Sequence, residues 1–155
     1  MVGVTAVVFF KENFTRKGFV DGTLVKWKAR KVYLKKSGRG ILMKTGALRR
    51  SIRIIQASAN KVTVGTMLVY AQIHNEGGTI IQKPTFKQRI YFSYLSDEAF
   101  AAGNKSLGNM YAAMSTAKKL TIVIPQRQFI GNSEGLNKRI ARQITARLTE
   151  ILYPN

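Results

Sequence analysis

The last quarter of the chain carries the pattern that most limits the fold. Its apolar residues recur every three or four positions, the spacing of one helix face, and they are Leu136, Ile140, Ile144, Leu148 and Ile151. Ser133 can cap the first turn, Glu134 suits that turn, and Pro154 follows the end. The basic residues off the stripe are Lys138, Arg139, Arg142 and Arg147. We predict a long C-terminal helix that packs its stripe on a sheet and leaves a basic outer face.

Short alternating runs indicate the strands of that sheet. Residues 52–58 and 61–66 alternate on either side of a turn and predict a β-hairpin. Residues 79–83 and 119–124 predict two further strands, each followed by a proline. The predicted fold class is therefore α+β: a mostly antiparallel sheet of four to five strands with an N-terminal helix and a long C-terminal helix.

The N-terminal third supplies a helix and a basic stretch. Residues 4–20 predict a short amphipathic helix that Gly18 could end. Residues 26–36 interleave bases with aromatics, which can stack on nucleic-acid bases. We favour instead a helix that buries its aromatic side while Lys and Arg stems reach solvent. Thr45 can cap a further short helix that buries Leu48.

Residues 84–117 have the weakest pattern, because Ala, Asn, Ser and Gly dominate after an aromatic patch. Residues 98–102 and 107–114 suit short helices, and the remainder suits an exposed arm that orders only on assembly. A length of 155 residues fits one domain. We therefore predict a single domain over 1–155, with 84–117 as an extended arm or an insertion within it.

The charge balance is strongly basic. The chain has 26 Lys and Arg against 7 Asp and Glu, a net charge of +19, and the excess is largest in residues 1–53. Such a surface attracts phosphate backbones or acidic protein surfaces and steers association. The alternative is that these side chains only keep the protein soluble, although solubility does not need so uneven a balance.

The sequence offers little for catalysis. It has no cysteine, which excludes thiolate metal sites and cysteine nucleophiles, and His74 is its only histidine. His74 could act as a lone general base, but we favour a polar residue hydrogen-bonded at a tight turn. The seven carboxylates show no grouping suited to hydrolysis or two-metal chemistry. Gly46, Gly77 and Gly78 fit positive-φ turns rather than a phosphate loop. We predict no enzyme, no cofactor and no metal.

Membrane attachment is not expected either. No apolar run approaches the ~18 residues of a membrane span. The apolar start of the chain lacks the basic region and the cleavage site of a signal peptide.

Three pieces of the sequence, in this order and spacing, resemble a known family. They are ILMKTGALRRSIRI at 41–54, VTVGTMLVYAQIHNEGGTI at 62–80 and IPQRQFIGNSEGLNKRIARQITARL at 124–148. Together they resemble the virion morphogenesis, or tail completion, proteins of Mu-like phages, and Trp27 before the first piece also fits. Any one piece alone would be weak, but the combination is specific.

The resemblance implies a structural protein of the virion, made in the bacterial host cytoplasm and located at the head–tail junction or the tail end. It implies a homo-oligomeric ring, a hexamer by the tail's sixfold symmetry, with neighbouring neck and tail proteins as partners. Residues expected to shape the assembly loops are Thr45, Gly46, Leu48, Ser51, Tyr70, His74, Gly77, Gly78, Arg127, Phe129 and Gly131. Phe129 would plug the core, and we expect the TGALRRS and HNEGG loops to lie close together at the sheet's edge.

The basic surface would face packaged DNA in the ring lumen or acidic neighbouring rings. The residues expected to make these contacts are Lys26, Lys28, Arg30, Lys31, Lys35, Lys36, Arg49 and Arg50. The main rival is a stand-alone nucleic-acid-binding module, which predicts tight binding by a monomer that is lost on replacing Lys28, Arg30 and Lys31. A second rival, an enzyme acting on nucleic acid or cell wall, predicts that His74→Ala abolishes an activity.

Overall fold

A computed structural model of the chain describes residues 1–29 and 40–153. In chain order its elements are α1 (Val2–Arg16), β1 (Gly18–Asp21), β2 (Thr23–Lys26), α2 (Ala47–Ser51), β3 (Arg53–Ala57), β4 (Val62–Gly65), α3 (Ala71–Glu76), β5 (Gly78–Gln82), α4 (Phe86–Ala101), α5 (Lys105–Thr116), β6 (Leu120–Ile124) and α6 (Glu134–Leu152). None of the helices in these ranges has both the length and the apolarity to cross a membrane.

The contacts divide the chain into two compact units. The first unit comprises Met1–Gly77 and Pro125–Asn155, and the second unit comprises Gly78–Ile124. This division does not test whether the units fold independently, so a single domain over 1–155 stays a prediction.

The mixed α+β class is confirmed, but the predicted sheet of four to five strands is wrong. In the described ranges the strands form three separate two-stranded antiparallel sheets, β1–β2, β3–β4 and β5–β6. The predicted hairpin is confirmed as β3–β4, with a bulge between Ile54 and Gln56. Alternation in the sequence identifies a strand's faces but not its partners, and here each strand pairs only once.

The N-terminal helix is shorter than predicted. α1 ends at Arg16 because Lys17 takes a left-handed conformation (φ 55°) and donates its N–H to the carbonyl of Asn13. Gly18 therefore does not end the helix but begins β1. A Cβ at this position would lie 2.6 Å from the carbonyl oxygen of Val25, so glycine permits the close pairing of β1 with β2.

The core of the first unit is aromatic. Phe14 lies between two rings, with its centroid 5.5 Å from that of Trp27 and 5.2 Å from that of Phe129. Phe129 is only 1% exposed, which confirms the prediction that it fills the core. Trp27 is buried directly after β2. The predicted helix over 26–36 starts in this strand, and residues 30–39 fall outside the described ranges.

The C-terminal helix is confirmed, but the packing predicted for its stripe is wrong. Ser133 caps α6 by accepting a bond from the N–H of Leu136, 3.0 Å away. Leu136 is buried and Ile140 half-buried, whereas the remaining apolar residues of the stripe are exposed. α6 packs on α1 and β1 rather than across a broad sheet. The apolar residues in the first turns of α6 therefore pack on α1 and β1, whereas those in its later turns stay exposed.

The second unit consists of the β5–β6 ribbon and the α4–α5 hairpin. The strand predicted at 79–83 is confirmed as β5, and the one at 119–124 as β6. Thr85 and Gln88 form a capping box at the start of α4. Residues 84–117 thus contain two helices longer than the short segments predicted there, and an arm that orders only on assembly stays a prediction.

Candidate functional site

Residues 125–133, which precede α6, are held in place by hydrogen bonds to side chains and backbone from distant parts of the first unit. The side-chain oxygen of Asn75 accepts hydrogen bonds from the N–H groups of Phe129 and Ile130, at 2.9 and 3.0 Å. From α1, the buried amide of Asn13 donates to the carbonyl of Phe129 at 3.2 Å. A segment outside any helix or strand thus gains its polar partners from side chains, as buried backbone requires.

Three further hydrogen bonds tie the same segment to the residues just after β2. The indole N–H of Trp27 donates to the carbonyl of Gln128 at 2.7 Å. The guanidinium of Arg127 donates to the carbonyl of Lys28 from Nε and Nη2, at 3.2 and 3.1 Å. Arg127 therefore serves as a brace between distant parts of the chain, and its expected role in shaping an assembly loop stays a prediction.

His74 lies on α3, not in the loop predicted around it. Its carbonyl accepts a bond from the Arg127 N–H at 2.8 Å, and its ring meets the Tyr70 ring edge-on with centroids 6.1 Å apart. Burial, and then the positive charge of Arg127, lower the pKa of His74 below its ordinary value of 6.5. Within the described ranges its Nδ1 has no hydrogen-bond partner, so the hydrogen bond predicted for the side chain is not found at that atom.

Glycines allow α3 to end between His74 and the next strand, in a stretch predicted as a loop. Gly77 has a φ of 77° and donates its N–H to the carbonyl of Ile73, which ends α3 after six residues. Gly46 and Gly78 also have positive φ, at 71° and 151°. The prediction of positive-φ glycines at these three positions is confirmed, and it was the available sequence signal for where α3 ends.

The TGALRRS segment folds into α2 with a different cap from the one predicted. Gly46, not Thr45, occupies the N-cap position. Thr45 lies one residue before it, and its hydroxyl accepts a hydrogen bond from the Ala47 N–H at 3.3 Å. Leu48 is buried. The hydroxyl of Ser51 lies 2.6 Å from that of Thr66, just after β4.

The three motif pieces meet in one core. Leu48, Ala71 and Phe129 come from the three pieces in turn, and all belong to the same buried cluster. Gly131 lies beside Gln128, where a Cβ would overlap the Gln128 amide. The direct juxtaposition of the TGALRRS and HNEGG loops stays a prediction, because what is shown is a shared core.

The predicted basic contacts have different surroundings in the described ranges, and their role as a contact surface stays a prediction. Lys26 and Lys28 are exposed, whereas Arg49 donates to the carbonyl of Lys11 and Arg50 to that of Thr45. Arg49 thereby links α2 to α1, whereas Arg50 supports the backbone just before α2. The remaining predicted contacts lie outside the described residues, and they are Arg30, Lys31, Lys35 and Lys36.

Sequence reasoning missed a basic groove beside α6. Its apolar floor is Phe9, Val20 and Leu24, and its charged walls are Arg16, Lys138, Arg139 and Arg142. Glu12 binds Arg16 at 2.8 Å and Arg139 at 3.0 Å, and Glu134 binds Lys138 at 2.7 Å. The three α6 bases were visible as off-stripe residues, but their meeting with Arg16 depends on how α1 packs against α6.

The described residues hold no group of three or more His, Asp and Glu side chains able to bind a metal. The geometry is that of a braced scaffold with exposed apolar helix faces. The phage virion morphogenesis family matches residues 9–149 of the sequence. The chain belongs to this family.

As a phage virion morphogenesis protein, the chain uses its motif residues to fold. Phe129 lies in the core, and Arg127 bonds to the Lys28 carbonyl. Gly46 and Gly77 lie at helix ends with positive φ. A search of curated proteins and a search of solved structures each found no match. The narrower assignment to Mu-like phages stays a prediction.

Proposed function

We propose that this protein is a structural subunit of the virion that completes the tail or joins it to the head, as a homo-oligomeric ring contacting neighbouring neck and tail proteins. The observation that carries the proposal is the family match over residues 9–149. Exposed apolar residues on α4 and α6 support it, since large exposed apolar patches mark interaction surfaces. In this role the protein needs no catalytic residue and no cofactor.

The decisive experiment deletes the gene from its phage or prophage, induces the lysogen and images the lysate by electron microscopy. A joining role yields DNA-filled heads beside separate tails of normal length, whereas a terminating role yields overlong tails. Supplying the intact gene in trans restores infectious particles and serves as the control. Normal infectious particles from the deletion strain contradict the proposal.

The basic groove favours a second candidate, contact with duplex DNA, either in the ring lumen or by a stand-alone module. Of its four bases, Arg142 has no ion pair among the described residues, so its charge is not already neutralised there. Phosphate contacts predict that log affinity falls by about 0.9 per contact for each log unit of salt.

Fluorescence anisotropy of labelled duplex at several salt concentrations tests this candidate. Arg142→Gln should lower the slope by about one contact, and Lys61→Gln, at an exposed hairpin turn, is the matched control. No binding at low salt contradicts DNA contact and leaves acidic neighbouring proteins as the partners of the basic surface.

A further inference from the structure

The last turns of α6 carry an exposed apolar stripe. Ile144, Leu148, Ile151 and Leu152 are 40%, 52%, 64% and 68% exposed. α6 runs antiparallel to α1, because Arg139 binds Glu12 whereas Gln143 accepts a bond from Thr5. α1 begins at Val2, so the part of α6 after Gln143 has little of α1 left to pack on.

α4 carries a second exposed apolar face. Phe86, Ile90 and Tyr94 recur every four residues on one side of the helix and are 77%, 54% and 55% exposed. The opposite side packs on α5, where Phe92 stacks with Tyr111. Asp97 continues the outward face one turn further along, and Glu98 accepts a hydrogen bond from the Tyr94 hydroxyl. The face is thus apolar at its start and acidic at its end.

Resting on the ring proposed above, we propose that the outward face of α4 in one copy packs antiparallel on the exposed stripe of α6 in a second copy. Both surfaces are helix faces with apolar residues at every fourth position, so their ridges can interdigitate. The contact joins two different patches of the same chain. A head-to-tail contact of this kind closes a ring when the rotation between neighbouring copies divides a full turn, and otherwise builds a filament.

Spacing and charge set the direction of this packing. From Phe86 to Asp97 is eleven residues, or roughly 16 Å of helix at 1.5 Å per residue. When Phe86 lies over Leu152 and the helices run antiparallel, Asp97 reaches the level of Ala141 and Arg142. When they run parallel, Asp97 lies past Leu152, at the negative end of the α6 dipole. The antiparallel arrangement therefore pairs acid with base.

Charge also favours α4 over a second α6 as the occupant of the stripe. Arg147 near the stripe is paired with Glu150 at 2.8 Å, which leaves Arg142 as the basic side chain there without an ion pair among the described residues, and like charges across an interface oppose association. Asp97 and Glu98 are the only adjacent pair of acids in the chain. The face that holds them is therefore the best electrostatic match that a second copy offers.

The absence of native cysteine makes crosslinking a direct test. Ile90→Cys and Leu148→Cys are made in separate full-length chains, one of them enlarged by a tag, and the chains are mixed and treated with a short bismaleimide. The expected main product joins position 90 of one chain to position 148 of the other. Val69→Cys, at an almost fully exposed position, is the control and should give little product with either.

A charge-reversal cycle gives a second, independent readout. Asp97→Arg and Arg142→Asp should each raise the subunit dissociation constant by roughly two- to fivefold, as expected for an exposed ion pair, and the double variant should recover most of the loss. Sedimentation velocity measures association. Lys61→Asp is the matched control and should leave it unchanged, because its turn belongs to neither face.

The outcomes separate this inference from the proposed function. If the parent protein assembles but 148–148 or 90–90 products dominate, the α4–α6 contact is wrong and the ring stands. If the parent stays monomeric at its highest soluble concentration, the contact is also wrong, and the phage deletion still decides the role in tail completion. Normal particles from the deletion strain refute that role whatever the crosslinks show.

Discussion

The side-chain oxygen of Asn75 satisfies backbone N–H groups of the segment before α6, as a neighbouring strand would in a sheet. It accepts two backbone N–H groups, from Phe129 and Ile130, and so fixes the path of the chain into α6. Phe129 lies on that path and is buried in the core. A polar residue of α3 thus controls the position of the most deeply buried aromatic ring.

Replacing Asn75 by Ala should therefore lower the free energy of unfolding by about 2–3 kcal/mol, since two partly buried donors lose their acceptor. Chemical denaturation followed by circular dichroism measures the loss. Asn137→Ala, on the exposed side of α6, is the control and should change stability by no more than about 0.5 kcal/mol. Equal effects of the two variants would contradict the bracing role.

The pH dependence of stability should report His74. Burial and Arg127 lower its pKa in the folded protein, so the unfolded chain binds a proton more readily. The contribution of His74 to the free energy of unfolding is therefore fully present above its ordinary pKa of 6.5. It is lost as the pH falls through the lowered pKa of the folded protein. Unfolding free energies at about pH 8 and about pH 5 should differ more for the parent than for His74→Gln. An equal difference would mean that His74 does not contribute.

At the scale of elements, the first half of α6 packs in the core and the second half exposes its apolar residues. Leu136→Ala should cost about 2–4 kcal/mol of stability, because it empties a buried site in the first unit. Leu148→Ala should cost less than about 1 kcal/mol, because its side chain is already half in water. Thermal unfolding of the two variants checks this. A large loss from Leu148→Ala would mean that the stripe has a partner within the folded chain.

Periodicity explains which elements the sequence could predict. α6 and the β3–β4 hairpin have clear periods and caps, and both were predicted close to their true bounds. Only the last turn of α4 was predicted, within the helix expected over 98–102, because α4 is apolar on two sides, towards α5 and towards solvent, so that no single stripe marks it. β1 was mistaken for the end of a helix because only the left-handed Lys17 separates them.

The candidate site was less predictable than the elements. Glycines with positive φ and the buried Phe129 follow from local sequence rules. The brace of Arg127 on Lys28 joins residues 99 positions apart, and nothing in the sequence pairs them. The basic groove similarly needs the packing of α1 against α6, which a pattern along one helix cannot supply.

At the scale of the whole molecule, the sequence predicted one domain, and the contacts divide the chain into two compact units whose joint or separate unfolding can be measured. Arg89 tests this. In the second unit its guanidinium donates to the carbonyls of Ser115 and Ala117, at the end of α5, both at 2.8 Å. Arg89→Met should therefore destabilise the second unit by about 1–3 kcal/mol.

Two probes distinguish the units in that variant. Amide hydrogen exchange in α5 should accelerate, while the denaturation midpoint of the single tryptophan, Trp27, should stay where it is, because Trp27 lies in the first unit. Lys87→Met is the exposed control. Equal shifts of both probes would show that the chain unfolds as one domain.

The pairing of β5 with β6 has a consequence for how such a chain can change over time. Gly78 lies opposite Ile124, so the points where the chain leaves and rejoins the first unit are separated by about 5 Å. A short turn could bridge that gap in place of the whole second unit. Phages that exchange genes can therefore lengthen, replace or lose this cassette without re-routing the backbone on either side, and differences in length among relatives should concentrate there.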